Sequence, residues 1–323
     1  MQTVTHCLFL GPLVTVIGGC SALDDTAVDS PPVGFFFREG QVVIHVGDEP
    51  IATYSYADPE TSRPYFAHLR APCGIQVTRN HPPQPGDAQD HKTYHPGIWL
   101  AFGDISGSDN WRMKARVEGD GLIGAPQSGP GRGTFTVRNR YLSNDGSKTI
   151  CTEICQYTLH VRPGGYLLVA DSRFRSDNED FYFGEEMDEQ GMSFRVATTL
   201  TVKAGQGGRI LSDAGSINEA HVRETLGYWC DYSGTIEGSP VGLTAMIDPR
   251  HGRRCWWHAR DYGFLAANPF RSHDGRAGAS RLVVRKGETL RLRFGVWIHG
   301  HPDGTPTDPQ KAFADFLNVQ TES

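Results

Sequence analysis

The sequence predicts an all-β protein, a large two-sheet antiparallel β-sandwich with one short C-terminal helix. Three observations lead to this fold class. The 323 residues include 38 glycines and 20 prolines, which is typical of a chain with many turns. Short runs rich in Val, Thr, Phe and Tyr alternate between apolar and polar side chains, as strands do. Helical spacing of apolar residues is convincing only in "TPTDPQKAFADFLNV", at 305–319.

The first 20 residues are similar to a signal segment. "CLFLGPLVTVIGGC" is an apolar stretch with a lipobox-like ending, so Cys20 would carry a lipid anchor on an exported, periplasmic or membrane-tethered lipoprotein. However, "MQTVTH" lacks the Lys or Arg that usually precedes such a stretch. The alternative is a buried strand or a misplaced start codon, and the protein would then be cytoplasmic. Residues 21–34 have the composition of a linker, and residues 35–323 are predicted to form a single β-sandwich domain.

The predicted strands are separated by turn signals such as "RPGGY" and "KAGQGGRI". In "TLRLRFGVW", charged and apolar residues alternate, which predicts one wet and one buried face. Cys151 and Cys155 are four residues apart in the strand-like "TICTEICQYTLHV". On a strand this separation is about 13 Å, too far for a disulfide. Both cysteines are therefore predicted to be small core residues.

The C-terminal helix is predicted over residues 307–318. Thr307 or Asp308 can cap it, and Pro309 suits its first turn. One apolar stripe would face the sandwich, formed by Ala312, Phe313, Phe316 and Leu317.

Composition and charge exclude several classes of function. A net charge of -6 and a pI near 6.1 disfavour a nucleic-acid partner. No stretch after residue 20 approaches the roughly 18 apolar residues of a membrane span. No cysteine and histidine spacing resembles a zinc site. We therefore expect no cofactor, and the sequence gives no indication of the oligomeric state.

The segment "HKTYHPGIWLAFGDISGSDNW", at 91–111, is the first concentration of polar and aromatic residues. Its "GIWLAFG" run is too apolar for an exposed edge and predicts a central strand. His95 lies just before this strand, where an imidazole could act as acid or base or hold a substrate hydroxyl. Asp104 lies just after it and is predicted to fix the turn through backbone N–H groups. A weaker alternative is a metal site of His81, His91 and His95.

Two further segments carry reactive side chains. "FYFGEEMDEQGMSFRVATTL" contains Glu185 and Glu186, and on a strand only one of this pair could face a given cleft. "CWWHARDYGFLAANPF" alternates, which puts Trp257, Ala259 and Asp261 on one face. The opposite face, a poor core and a good binding surface, would carry Trp256, His258, Arg260 and Tyr262.

These motifs together resemble the DUF6807 family, often labelled "PmoA family protein". The resemblance rests on "RPYFAHLRAPCGIQVTRNHPP", on the segments already quoted and on "WCDYSG", and it runs in order from about residue 63 to 300. The label suggests a methane monooxygenase subunit, but that membrane enzyme needs several apolar spans, which this chain lacks. The resemblance implies a carbohydrate-active β-sandwich similar to a mutarotase-like supersandwich. Asp188 departs from the pattern, where a glycine is expected.

The motif residues and the chemistry of the three segments predict one carbohydrate-binding cleft. Sugar rings stack on aromatic faces, and sugar hydroxyls need paired donors and acceptors. Its walls are expected to include Asp104 and Arg260 beside the acid–base residues, which we predict to be His95, Glu186, Asp231 and His258. The substrate-binding residues are predicted to be Trp99, Asp104, Trp111, Arg195, Tyr232, Trp256, Arg260, Asp261, Tyr262 and Asn268.

Three hypotheses for the function follow. The first is an exported enzyme, glycoside hydrolase-like or lyase-like, that acts on a glycan or modified sugar by hydrolysis, elimination or epimerisation. All three reactions need a general acid or base, which His and carboxylate side chains can provide. The second is a non-catalytic carbohydrate-binding protein. The third is a metal-dependent enzyme built on the His81, His91 and His95 cluster.

Overall fold

The structure is a computed structural model that describes residues 30–184, 189–271 and 281–319. Within these ranges the strands are, in chain order, β1 Pro32–Arg38, β2 Gln41–Val46, β3 Glu49–Ser55, β4 Tyr65–Ala67, β5 Ile98–Ala101, β6 Val117–Leu122, β7 Gln127–Pro130, β8 Arg132–Leu142, β9 Thr149–Arg162, β10 Gly165–Arg175, β11 Phe181–Gly184, β12 Gly191–Arg195, β13 Arg209–Ser212, β14 Leu226–Gly227, β15 Trp229–Ile236, β16 Ser239–Ile247, β17 Cys255–Arg260, β18 Phe264–Asn268, β19 Arg281–Val284 and β20 Thr289–His299. The α-helices are α1 Asn218–Val222 and α2 Pro309–Asn318.

The strands pair into two antiparallel sheets that share one edge. The first sheet has the order β1-β2-β3-β4-β5-β12-β18-β17-β14. In the second sheet, β6 and β7 both pair with β8, and the order continues β9-β10-β20-β16-β15-β13. Strand β1 also pairs with β7 and so joins the two sheets, while β11 and β19 form a separate pair. The predicted all-β fold of antiparallel sheets is confirmed.

The core lies between the two sheets. Alternate residues of each strand point inward, as Ile98 and Leu100 do from the first sheet and Leu168 does from the second. Burying a side chain such as Leu168 contributes roughly 1.5–3 kcal/mol. Cys151 and Cys155 are buried free cysteines of this core, as predicted.

Strand β5 is central, as the sequence predicted, because β4 and β12 pair with its two edges. All four of its residues are buried, since a second apolar cluster covers the outer face of the first sheet. Gly97, just before β5, allows β4 to approach closely, because a Cβ atom there would lie 2.2 Å from the carbonyl oxygen of Phe66. The outer cluster consists of Tyr65, Ala67, Trp99, Ala101, Trp111, Phe264 and Ala266.

The C-terminal helix α2 also agrees with the prediction. The Asp308 side chain accepts the Gln310 N–H, and Pro309 occupies the first turn. The apolar stripe packs on the outer face of the second sheet, against Leu167, Val169, Trp229, Met246 and Trp297.

The N-terminal prediction falls largely outside the described residues, which exclude the lipobox-like segment and Cys20. Strand β1 begins at Pro32, slightly before the predicted domain start at residue 35. Among the helices of the described ranges, none is long and apolar enough to cross a membrane.

Candidate functional site

The outer face of the first sheet carries many of the predicted site residues. On β17, Trp257 and Ala259 enter the core, whereas the His258 ring contacts Phe264 of the outer cluster. Strand alternation places Trp256 and Arg260 on the same face as His258. The predicted alternation is therefore confirmed up to Arg260, where β17 ends, whereas Asp261 and Tyr262 lie in the turn that follows.

A column of stacked rings crosses this outer face. The His95 ring lies 4.6 Å from His91 and 4.8 Å from Phe264, nearly parallel to both. On the same ring, Trp99 stacks at 5.1 Å. Tyr262 extends the column, at 6.0 Å from His91 and 6.4 Å from Phe264. These separations are those of stabilising ring pairs, so the column fixes the positions of His91 and Tyr262.

Buried Arg79 holds the chain segment that carries His91 and His95. Burial, reinforced by the nearby Arg195 cation, lowers the pKa of Arg79 to about 10, so it remains charged at neutral pH. Its two terminal nitrogens donate to four carbonyl oxygens, those of Ala88, Asp90, His91 and His95. These hydrogen bonds from buried Arg79 hold segment 88–95 against the sheet.

Buried Arg63 fixes the other side of the same face. Its guanidinium donates to the carbonyls of Tyr94, Asn110 and Trp111. It also lies over the rings of Trp99 and Trp111, at 5.3 and 5.9 Å. Burial lowers the pKa of Arg63 to about 9, which leaves it cationic.

The electrostatic centre of the site is Asp90. Its Oδ1 atom accepts a hydrogen bond of 2.8 Å from Arg195 Nη2, and its Oδ2 atom lies 2.7 Å from His91 Nδ1. Partial burial alone would raise the pKa of Asp90, but the hydrogen bonds from Arg195 and His91 outweigh it and lower the pKa to about 2. The Asp90 side chain is 41% exposed and the His91 side chain 36%, so this carboxylate–histidine pair is open to a ligand.

The backbone at His91 is strained. Its φ of 50° lies in the left-handed region, which residues other than glycine rarely adopt. The carbonyl of His91 accepts the His95 N–H at 3.1 Å and a further bond from Arg79. Strain of this kind costs on the order of 1–3 kcal/mol and clusters at functional sites.

His95, predicted as an acid–base residue, lies at the site but is only 3% exposed. Arg195 Nη1 lies 3.4 Å from its Nδ1 atom. Burial, reinforced by the Arg195 cation, lowers the pKa of His95 well below its usual value of 6.5. The ring is therefore neutral at physiological pH, and the stacked column covers it.

His258 is also buried, on β17 beside the column. Burial, together with the cations of Arg223 and Arg260, lowers its pKa to about 4. Arg260 itself is a third exposed, and its Nε atom pairs with Glu219 at 2.8 Å. Arg260 also lies over the Tyr262 ring at 5.3 Å. Arg260 and Tyr262 therefore form a partly exposed rim next to the column.

The prediction that Asp231 and Tyr232 line one cleft with the other site residues is wrong, because "WCDYSG" belongs to the second sheet. Asp231 is buried on that sheet, where it accepts from Ser233 and Thr244 and lies 2.9 Å from His299 Nε2. The Tyr232 ring lies in the core, and its hydroxyl donates to backbone carbonyls. A single cleft containing all the predicted residues does not form.

Several predicted binding residues have structural partners instead. Trp99 and Trp111 are each 1% exposed, covered by Arg63 and the column, so neither ring presents a free face. Asn268 is fully buried and accepts the Phe270 N–H. The Asp261 carboxylate accepts the Glu219 N–H. Arg195 is buried as well, and its guanidinium contacts the partly exposed Asp90 and lies 4.6 Å from the Tyr262 ring.

Asp104 and Trp256 make their contacts away from the Asp90–His91 pair. The Asp104 carboxylate accepts the Gly107 N–H at 2.8 Å, which confirms the predicted turn. The same carboxylate requires Gly184 opposite it, where a Cβ atom would lie 2.1 Å away. Trp256 is half-buried, with the Arg271 guanidinium 4.7 Å from its ring.

Glu186, with Glu185 and Asp188, lies outside the described residues. The three-histidine metal alternative is not supported, because His81 contacts Tyr65 and Thr61 rather than His91 and His95. Within the described ranges, no group of three His, Cys, Asp or Glu side chains could hold a metal ion.

Sequence reasoning missed Asp90, Arg63 and Arg79. Asp90 precedes His91 directly, and a carboxylate next to a histidine in a polar loop is a signal that could have been used. Arg63 and Arg79 lie in the quoted motif "RPYFAHLRAPCGIQVTRNHPP", beside apolar runs. Nothing in their spacing shows that their partners would be backbone carbonyls.

The sequence matches one protein-family model over most of its length. A family model described as "Family of unknown function (DUF6807)" matches residues 41–313. No curated protein matches the sequence.

Among solved structures, the similarities are distant. A GH36 α-galactosidase from Geobacillus stearothermophilus is 12% identical with a TM-score of 0.44, and the match covers 83% of this chain but only 40% of that one. An α-galactosidase from Lactobacillus brevis is 7% identical with a TM-score of 0.43, covering 82% and 39%. A galactose 1-epimerase from Lactobacillus acidophilus NCFM is 8% identical with a TM-score of 0.42, covering 84% and 100%. The chain thus spans about two fifths of the α-galactosidases.

Proposed function

The chain belongs to the DUF6807 family, and from its site we propose that it is a carbohydrate-active enzyme with Asp90 and His91 as its acid–base pair. The observation that carries this proposal is the exposed carboxylate–histidine contact of 2.7 Å, held in place by buried Arg195 and Arg79. A pair with only a structural role could be fully buried, whereas this pair is partly exposed to solvent.

The pairing gives His91 a defined role. Because Asp90 is ionised at neutral pH, it accepts a hydrogen bond from the N–H group at His91 Nδ1. In this tautomer His91 Nε2 carries the lone pair. A nitrogen in this state can take a proton from a substrate and return it later in the reaction. Arg195 keeps the charge of Asp90 compensated, so the carboxylate does not compete for that proton.

The surroundings suit a sugar. Tyr262 lies beside His91, with the guanidinium groups of Arg195 and Arg260 over its ring, and its partly exposed side chain offers a hydroxyl group to a sugar. Arg260 and the Asp90 carboxylate offer a donor and an acceptor for hydroxyl groups near this ring. In this arrangement His95 positions His91 through stacking and does not touch the substrate.

The direct experiment is a panel of glycans and modified sugars incubated with the purified protein. Products are followed by mass spectrometry and NMR, which separate hydrolysis, elimination and epimerisation. Turnover of a panel member supports the proposal. Binding without any turnover would instead favour a non-catalytic carbohydrate-binding protein, and neither binding nor turnover would contradict both.

Export is a second part of the proposal. The lipobox-like ending at Cys20 supports a lipid-anchored protein outside the cytoplasm. The test is expression of the full chain in a bacterial host, with fractionation of the native protein and of Cys20→Ala. A membrane-associated native protein that incorporates a labelled fatty acid is expected, and a Cys20→Ala variant that does not incorporate it. Cytoplasmic fractionation of both would overturn this part.

A further inference from the structure

A polar cavity, with a volume of about 530 Å³, opens on the outer face of the first sheet that also carries the proposed acid–base site. Segment 88–95 separates it from the proposed acid–base pair. Gln89, Lys92 and Thr93 of this segment line the cavity, whereas Asp90 between them binds Arg195. The volume falls in the range of cavities that hold small ligands, about 300–1,000 Å³.

The walls of this cavity are firmly built. The Tyr65 hydroxyl donates to Asp58 Oδ2 at 2.7 Å, and Asp58 Oδ1 accepts the backbone N–H groups of Glu60 and Thr61. Thr61 donates its only hydroxyl proton to the Thr93 carbonyl at 2.8 Å, which ties the two sides together. Tyr65 forms part of the wall and also packs in the outer apolar cluster.

The imidazole of His81 is neutral in this wall. Because the Thr61 hydroxyl proton is committed to Thr93, its oxygen accepts from His81 Nε2, 3.3 Å away. Burial lowers the pKa of His81 to about 4, although the charge of Asp58 partly opposes this. His81 therefore adds no positive charge at neutral pH.

The charges and polar groups of the lining select the ligand. Asp58 and Glu60 are two carboxylates, and Lys92 supplies one cation against them, so the cavity carries no excess positive charge for a phosphate, sulfate or uronate. Apart from the imidazoles of His68 and His81, the remaining polar side chains are hydroxyls and amides, which match the donors and acceptors of sugar hydroxyls. The hydroxyls and amides include Gln41, Thr53, Ser55 and Thr93.

We propose that this cavity is a subsite for a neutral sugar unit, so that the substrate is an oligosaccharide lying across segment 88–95. This inference rests on the proposed function. One unit occupies the cavity, and another is held beside Asp90 and His91.

The test measures affinity against chain length by calorimetry. The probes are neutral oligosaccharides of glucose, galactose, mannose and xylose with one to six units, and uronic-acid oligosaccharides of equal length. For the native protein we expect at least one step in length that tightens binding by about tenfold or more, because a second linked contact is gained. Neutral chains should bind more tightly than uronic-acid chains.

Gln41→Trp is designed to fill the cavity from strand β2, and Thr53→Trp does the same from β3. Gln127→Trp is the matched control, an exposed strand position on β7 of the second sheet. The cavity variants should lose the length-dependent step, while the control keeps it. Thermal unfolding of all three shows that each is folded.

The outcomes separate this inference from the proposed function. If the native protein binds neutral chains and folded cavity variants keep the full length dependence, the subsite is wrong and the acid–base site stands. A preference for uronic-acid chains also overturns the subsite. If the native protein binds no chain on the panel, the proposed function fails, and the subsite with it.

Discussion

Asp90 and Arg195 are 105 positions apart in the chain, yet their side chains meet at 2.8 Å on the outer face of the first sheet. Arg195 is the last residue of β12, and Asp90 lies in the segment clamped by Arg79. Their contact joins the sheet to the segment that carries His91. The exposed part of the site therefore depends on buried arginines beneath it.

A substitution of His95 tests whether the role of its buried imidazole is stacking or proton transfer. His95→Phe keeps a flat ring in the column but removes the nitrogen next to Arg195. Because the ring is buried, we expect turnover to stay within about tenfold of the native enzyme, well short of the loss for a general acid or base. Steady-state kinetics on a panel substrate measures this. A drop of a thousandfold in a folded variant would return the catalytic role to His95.

Arg79 is predicted to be essential for the order of segment 88–95. Arg79→Met leaves buried carbonyls without their donor, which should lower the free energy of unfolding by about 3 kcal/mol or more. Amide hydrogen exchange in the segment should rise at the same time. Arg138→Met, at an exposed position of β8, is the control. Unchanged exchange in Arg79→Met would show that the clamp is not needed.

Asp104 is predicted to act through its turn alone. Asp104→Ala removes the acceptor of the Gly107 N–H and should lower the free energy of unfolding by about 0.5–1.5 kcal/mol. Asp104→Asn keeps an acceptor oxygen and should lose less. Chemical denaturation compares the two. Equal stability of Asp104→Ala and the native protein would remove this role.

The lowered pKa of His258 predicts that the stability of the protein depends on pH. Its pKa is about 4 in the folded protein and about 6.5 in an unfolded chain. Between these values the unfolded chain binds more protons, so stability falls as the pH is lowered from 6.5 towards 4. Between pH 7 and pH 5 the loss due to this group is about 2 kcal/mol.

His258→Phe should flatten the dependence in that window. Unfolding free energies at pH 7 and pH 5 for both proteins measure the effect. Asp90, whose pKa is about 2, contributes a loss only at lower pH, as the pH falls through about 4 and below. Identical slopes for the native protein and the variant would contradict the assignment.

The sequence predicted what local periodicity controls. The alternation of β17 and the caps and apolar stripe of α2 depend on neighbouring residues, and both are confirmed. Asp231 was placed wrongly because no local pattern shows which of two sheets a strand joins. Trp99 was taken as a binding platform because the sequence does not reveal that Arg63 covers it.

The acid–base pair itself depends on long-range packing. The adjacency of Asp90 and His91 is visible in the sequence, but its meaning comes from Arg195 and Arg79. The order of strands in the sheet positions Arg195, and Arg79 binds backbone carbonyls. Neither relationship can be recognised from side-chain identities in the sequence. Residues of this kind are found only after the strands are paired.

In the proposed reaction His91, oriented by Asp90, transfers protons to and from a sugar, and kcat of two variants measures this role. His91→Gln and Asp90→Asn are compared with the native enzyme on a turned-over panel substrate, with thermal unfolding as the check on folding. We expect kcat to fall about 100-fold or more in His91→Gln, as for loss of a general acid or base, and to fall clearly in Asp90→Asn as well. A folded His91→Gln variant with native kcat would contradict it.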